Sequence, residues 1–392
     1  MPTNDLHIKR SDGLDVLDSY LKNPATYSKS LVIPNDLSLA GGIGVSVSFC
    51  QFLLTWARKS NQRIIKTFLD DGESQEAFAS RVHGLCASYF SFRLLSKENK
   101  DIRQSVLVAA RPRIEAMSRG DLVKTARGRE IELIFIENAI NEFHGSVYTR
   151  APNEFEKNDR ELHSSLVRSY REINRFLELC FEELNIKNLV EKHIARTDYI
   201  FGRLLSEVFH NTIEHAYSEV DGTKLDKNLR CIKVSAQAID RDKICLASVS
   251  SPTNQIAAKA YFSALANARQ PTSKVPRSQI RILELSVFDS GPGFVKTIAQ
   301  RAIDDRPLER MAVAKCFRKH QSAKGSLQFG RGLGNVIELV NELEGFLRVR
   351  TSSAEAFYTA GMKPDMDPED FVAGNLPKVE GTVVTIGIPI QY

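Results

Sequence analysis

The sequence predicts an α/β protein, and three observations carry the prediction. Short apolar strand patterns alternate with helical ones between residues 30 and 136. A long helix with a polar stripe follows at Phe201 to Tyr217. Late in the chain, Arg281 to Phe288 and Gly381 to Pro389 have strand character and lie next to glycine-rich turns.

The bulk properties fit this class. A chain of 392 residues favours two domains, or one large domain with an appendage. Its hydrophobic share of 42% and charged share of 26% are those of an ordinary globular protein. No apolar run reaches the roughly 18 residues a membrane span needs. The longest candidate, Leu39 to Trp56, is interrupted by Ser46, Ser48 and Gln51. The start, MPTNDLHIKR, has no apolar core of a secretory signal, so a cytoplasmic location is expected, with no membrane partner. Cys50, Cys86, Cys180, Cys231, Cys245 and Cys316 are far apart and form no CxxC pair, which argues against a zinc site or a disulfide framework. Net charge is +5, a mild excess that permits anionic partners without requiring them. The excess is local: from Lys296 to Arg331 nine Lys or Arg face three acids.

Taken in order, Ser30 to Pro34 is a short buried strand, Asn35 to Gly42 a loop and Gly44 to Lys59 a helix. Arg63 to Phe68 is a second strand, followed by one helix from about Ser74 to Leu95. Glu130 to Ile136 is a further strand. These place a small mixed or parallel sheet in a first domain, residues 1–152, whose order of elements resembles that of STAS domains. Ala151-Pro-Asn153 breaks the pattern. A helical connector then covers residues 153–185, with Leu162, Leu166, Ile173, Leu177, Phe181 and Leu184 at steps of three, four or seven, a packing stripe. Residues 186–392 form the second domain, with a stretch at 251–280 longer than a hairpin turn requires.

The chemistry-bearing residues lie in this second domain. On the helix FGRLLSEVFHNTIEHAY, Glu207, Asn211 and His215 are spaced i, i+4, i+8 and share a face. Alone, that stripe also reads as a solvated surface. The strand Arg281 to Phe288 runs into Asp289-Ser-Gly-Pro-Gly293, an acid at the end of an apolar strand with glycines that let the backbone approach a ligand. The same residues also suit an ordinary strand-ending turn. Gly330-Arg331-Gly332-Leu333-Gly334 opens a helix to Glu344, presenting free N–H groups and a positive dipole end to phosphate. Gly381-Thr382 opens the terminal strand.

In this order the four motifs, ExxxNxxxHA, DxGxG, GxGLG and a GT strand, resemble the GHKL ATPase superfamily of gyrase-type, chaperone, mismatch-repair and histidine-kinase proteins. The resemblance covers residues 186–392 and implies an α+β sandwich of the GHKL type that binds ATP with Mg²⁺. By that resemblance Asn211 is the metal-coordinating amide, and Glu207 is the general base that polarises water. Asp289 accepts the adenine amino group. Gly291 and Gly293 hinge a lid, Gly330 to Gly334 form the phosphate loop, and Thr382 lies near the adenine. Lys324 occupies a place from which lid residues reach the γ-phosphate, and it reads equally as a solvated lysine. His215 reads as a packing residue.

Departures from the family narrow the output. The 251–280 stretch is an elaboration available to a partner. Arg160-Glu-Leu-His163-Ser-Ser-Leu166 lacks the phosphoacceptor pattern of a histidine kinase, and eleven residues follow Gly381. A nucleotide-gated regulatory ATPase is therefore expected, with a protein partner or a second copy of the chain as its output and with lid closure as its switch. Two alternatives remain at this point: a protein kinase of the anti-sigma or histidine type, and a non-hydrolysing ATP-binding interaction module. The basic lid is explained as well by triphosphate as by nucleic acid.

Overall fold

The computed structural model describes residues 5–35, 42–69, 75–118, 130–137, 173–193, 197–215, 228–240, 249–268, 279–293, 295–296, 305–318, 332–363 and 366–390. The chain is mixed α/β, built on one parallel and one antiparallel sheet. In the parallel sheet, β1 (Asp5–His7), β2 (Ser30–Ile33), β3 (Ile64–Thr67) and β4 (Arg93–Leu95) lie in sequence order. The connections are helical, as parallel pairing requires: α1 (Leu14–Lys22), α2 (Val45–Lys59), α3 (Gln75–Ala79) and α4 (Val82–Phe90), with α5 (Arg103–Ser118) after the last strand. The long helix expected from Ser74 to Leu95 is two helices and a strand. A turn at Ser80 and Arg81 breaks it so that α4 can bury its whole length. Gly84 is needed at that corner, because a Cβ there would lie 2.0 Å from the Phe78 carbonyl oxygen.

The second sheet has seven strands in the order β10-β9-β8-β11-β7-β6-β5. They are β5 (Glu130–Glu137), β6 (Asn228–Asp240), β7 (Gln279–Asp289), β8 (Phe346–Ser352), β9 (Ala354–Thr359), β10 (Val372–Ala373) and β11 (Val379–Pro389). β5 corrects the expectation that Glu130 to Ile136 joins the N-terminal sheet. It is the edge strand of the seven-stranded sheet, antiparallel to β6 with Ile131 opposite Val234. Its apolar alternation signalled a strand but carried no information about which sheet would take it.

Each face of the seven-stranded sheet is covered. On the front, Ile232, Val234, Leu283, Leu285, Val287, Val349 and Ile386 form an aliphatic core. A helix at 173–183, α7 (Lys187–His193), α8 (Thr197–His215), α10 (Arg306–Phe317) and α11 (Gly332–Glu342) lie over it. We number the 173–183 helix α6. Its Leu177, Cys180 and Phe181 are buried in this core, so the C-terminal end of the expected connector belongs to the second unit; residues 153–172 lie outside the described ones. On the rear lies α2, buried from Val45 to Ala57, and beside it α9 (Pro252–Ala268). α9 is the expected elaboration. It is packed into the fold, with Phe262 against Phe346 and the Tyr261 hydroxyl donating to the Glu344 carbonyl at 2.6 Å. A short α12 (Pro368–Phe371) precedes β10. No helix among the described residues is long and apolar enough to cross a membrane. None of the five described cysteines forms a disulfide, and four of them are buried.

Candidate functional site: a buried carboxylate at a strand end

β7 ends at Asp289, directly opposite Arg230 on β6 and Thr382 on β11; Thr382 in turn faces Thr351 on β8. Because side chains alternate across a sheet, this register puts Arg230, Asp289, Thr382 and Thr351 in one row on the front face. All four are buried. The Arg230 guanidinium lies over the Phe209 ring of α8, 5.6 Å from its centre. The Thr351 and Thr382 hydroxyls are 3.4 Å apart.

Two glycines shape the space around the row. Gly381 has φ +70°, and a Cβ there would lie 2.1 Å from the Asp289 carbonyl oxygen. Only a residue without a side chain lets β11 begin this close to the end of β7. Gly293 has φ +82°, and its missing Cβ would meet the Thr351 hydroxyl at 2.8 Å. The backbone at 289–293 therefore folds back over the row instead of leaving it.

Asp289 is only partly satisfied by its own chain. Its Oδ1 accepts the Gly291 N–H at 3.0 Å, and the Thr382 N–H also reaches the carboxylate. Burial dominates and pushes its pKa up to about 7, against the opposing pull of the Gly291 N–H and of the Arg230 and Arg58 charges. A carboxylate poised there, with acceptor capacity to spare, suits a ligand that brings hydrogen-bond donors.

The other expected site residues fall as follows. Glu207 and Asn211 are half-buried on α8, whose Leu204, Leu205 and Val208 pack into the front core. Gly332 opens α11, and Leu333 and Gly334 are buried in its first turn. α11 shares the front core with α8 through Val336 and Val340, so the amide and carboxylate of α8 and the start of α11 belong to neighbouring helices. Gly291 and Gly293 are buried beside Asp289. Lys324, Gly330 and Arg331 lie outside the described residues. Among the described residues no cluster of three His, Cys, Asp or Glu could hold a metal.

Arg230 and Thr351 escaped the sequence reading. Arg230 sits in an unremarkable basic and apolar run, and only the strand register brings it opposite Asp289. Within the lid expected after Gly293, α10 is anchored. Glu309 accepts from the Ser353 backbone N–H at 3.1 Å and from its hydroxyl, and pairs with Lys378 at 3.1 Å. Arg310 donates to the Val372 carbonyl at 2.7 Å, and Phe317 meets Phe371 edge to face. Comparison with family models, with curated proteins and with solved structures finds no match to this chain.

Proposed function

We propose that the chain binds ATP with Mg²⁺ on the front of the seven-stranded sheet, in the manner of the GHKL superfamily, and uses it as a regulatory ATPase. The observation that carries this reading is Asp289. It is a buried carboxylate at a strand end, held by two backbone N–H groups and cradled by Gly293 and Gly381. That arrangement suits an amino group on a flat heterocycle, with the Thr382 and Thr351 hydroxyls available to a bridging water.

The remaining roles follow from placement. Asn211 would offer its amide oxygen to the metal, which supplies charge neutralisation for the triphosphate when bound. Glu207, one helical turn before it, would hold and accept the proton of an attacking water. The first turn of α11 would turn its N–H groups and positive dipole end toward phosphate. Any closure over the ligand would leave the anchored α10 in place. The output would be a changed contact with a protein partner or a second copy of the chain.

The test separates binding from turnover. Glu207→Ala should keep ATP affinity within about threefold while lowering turnover by about a hundredfold or more. Asn211→Ala should weaken both. Calorimetry and phosphate release on the purified full chain decide it. No ATP binding by the wild type would overturn the reading. Binding without turnover in the wild type would leave a nucleotide-binding interaction module.

A further inference from the structure

The rear of the sheet behind Asp289 is occupied by α2, a helix of the N-terminal α/β unit. Its polar residues Ser48, Gln51, Thr55 and Arg58 recur at steps of three, four and three, which places them on one helical stripe. That stripe faces the strand ends. Ser48 Oγ accepts from Arg348 at 2.9 Å. Gln51 Nε2 donates to the carbonyls of Arg350, at 3.1 Å, and Gly381, at 3.2 Å. Thr55 Oγ1 accepts the Glu380 N–H at 2.9 Å. Arg58 forks: Nη1 pairs with the Glu380 carboxylate at 2.9 Å and Nη2 donates to the Ser290 carbonyl at 2.8 Å.

These bonds converge on two short segments. Ser290 directly follows Asp289, and Glu380 and Gly381 directly precede Thr382. They are the same two segments whose close approach at Gly381 sets the shape of the row in front. α2 cannot move alone, either. Trp56 Nε1 donates to the Thr26 carbonyl at 3.2 Å, Phe49 stacks on Phe52, and both rings share one core with α1, α4 and the parallel sheet.

We infer that Arg58, backed by Gln51, is a positioning residue for the front site, so that the N-terminal unit sets nucleotide affinity by gripping the Ser290 and Gly381 carbonyls. This rests on the ATP reading above. Linkage makes the coupling reciprocal: ATP bound in front must tighten the docking of α2 behind by the same factor.

The experiment uses the full chain as wild type, Arg58→Ala, Arg58→Lys and Glu380→Gln, read by ATP-Mg²⁺ calorimetry and by hydrogen exchange. The Arg58 side chain is 30% exposed, so the variants should fold, and thermal melting checks that they do. Arg58→Ala should weaken ATP binding about tenfold, in line with losing a charge-assisted hydrogen bond at the site. Arg58→Lys, which can still reach one carbonyl, and Glu380→Gln, which leaves the Ser290 bond in place, should fall between. The decisive arm is exchange at saturating ATP. In the wild type ATP slows exchange in the last turns of α2. In Arg58→Ala it no longer does, while the first turn of α11 stays protected. General loosening of the fold would instead be overcome by saturation. Unchanged affinity in Arg58→Ala, or α2 protection that survives in it, would overturn the inference. Should the wild type bind no ATP, the functional reading fails and exchange in the ligand-free protein judges the grip alone. Residues 289–293 and 380–384 should then exchange about fivefold or more faster in Arg58→Ala, and equal rates would overturn it.

Discussion

The two faces of the seven-stranded sheet each bury a carboxylate completely, and the two titrate in opposite directions. Glu355 lies on the rear. Burial alone would raise its pKa, but Arg348 at 2.8 Å and the N–H groups of Ser251 and Ser250 outweigh burial and hold it below the ordinary value. The Asn254 amide adds a further donor at 3.0 Å. Asp289 lies on the front and, with fewer donors and more distant cations, ends up at about 7. The rear carboxylate is consumed by the fold. The front one retains acceptor capacity, and burial that is not locally compensated marks a site better than burial itself does.

The same contrast extends across the faces. Behind the sheet, Lys233 approaches Glu284 at 3.7 Å and donates to Ser46 at 2.7 Å, while Arg350 approaches Asp18 at 3.5 Å. These pairs lie between α1, α2 and the strands, so they dictate how the N-terminal unit docks. In front, the core is apolar until the last row, where polarity returns at Arg230, Asp289, Thr382 and Thr351.

The largest expected effect comes from breaking the rear side of the comparison. Glu355→Gln leaves Arg348 buried without its counter-charge and should cost about 3–5 kcal/mol in denaturant unfolding. The pH sense is fixed by the lowered pKa. The stability Glu355 contributes is complete above the unfolded-state value near 4.5 and is lost as pH falls through its folded value. A loss below about 1 kcal/mol would show that the rear carboxylate is not committed to the fold.

A smaller effect belongs to the join between the faces. Gly381→Ala puts a Cβ against the Asp289 carbonyl at a left-handed backbone position. The chain must shift there, and the expected cost is about 1–3 kcal/mol. Nucleotide affinity should fall with it, because the Thr382 N–H moves away from Asp289. Unchanged unfolding and unchanged affinity would mean that this close approach is dispensable.

Local signals made much of this legible. Apolar runs marked β2, β3, β7 and β11, an apolar run ending in an acid and glycines marked the turn at Asp289, and helical periodicity marked α2 and α8. What stayed hidden depends on register and docking. β5 alternates like any strand, and only its pairing with β6 reveals its sheet. Arg230 and Thr351 join the row through strands distant in sequence. The stripe of Ser48, Gln51, Thr55 and Arg58 gave no hint of its partners, which lie more than two hundred residues away. The residues 251–280 looked like a free elaboration because nothing in their own composition shows that Phe346 and Phe357 need covering.

The smallest effect sharpens the front side of the comparison and has an unusual sign. Asp289 has its pKa raised from 3.8 to about 7 in the folded chain. Between those values the native state holds a proton that the unfolded state has released, so the stability Asp289 contributes is present below about pH 4 and is lost as pH rises to 7. Above pH 7 the folded protein carries a buried charge that a neutral residue would not. Asp289→Asn removes that charge, but the amide's N–H groups cannot accept both backbone N–H groups that Asp289 accepts, which offsets part of the gain. The ligand-free variant should therefore be about 1 kcal/mol less stable than the wild type near pH 5 and about 1.5 kcal/mol more stable at pH 8, a swing of about 2.5 kcal/mol set by the raised pKa. ATP affinity should move the other way, about tenfold weaker in the variant at pH 8, where the wild type presents a full carboxylate. Paired melting curves and titrations at the two pH values read both effects. A variant that is less stable than wild type at pH 8 would mean that Asp289 is as fully compensated as Glu355, and the distinction between the two faces would be lost.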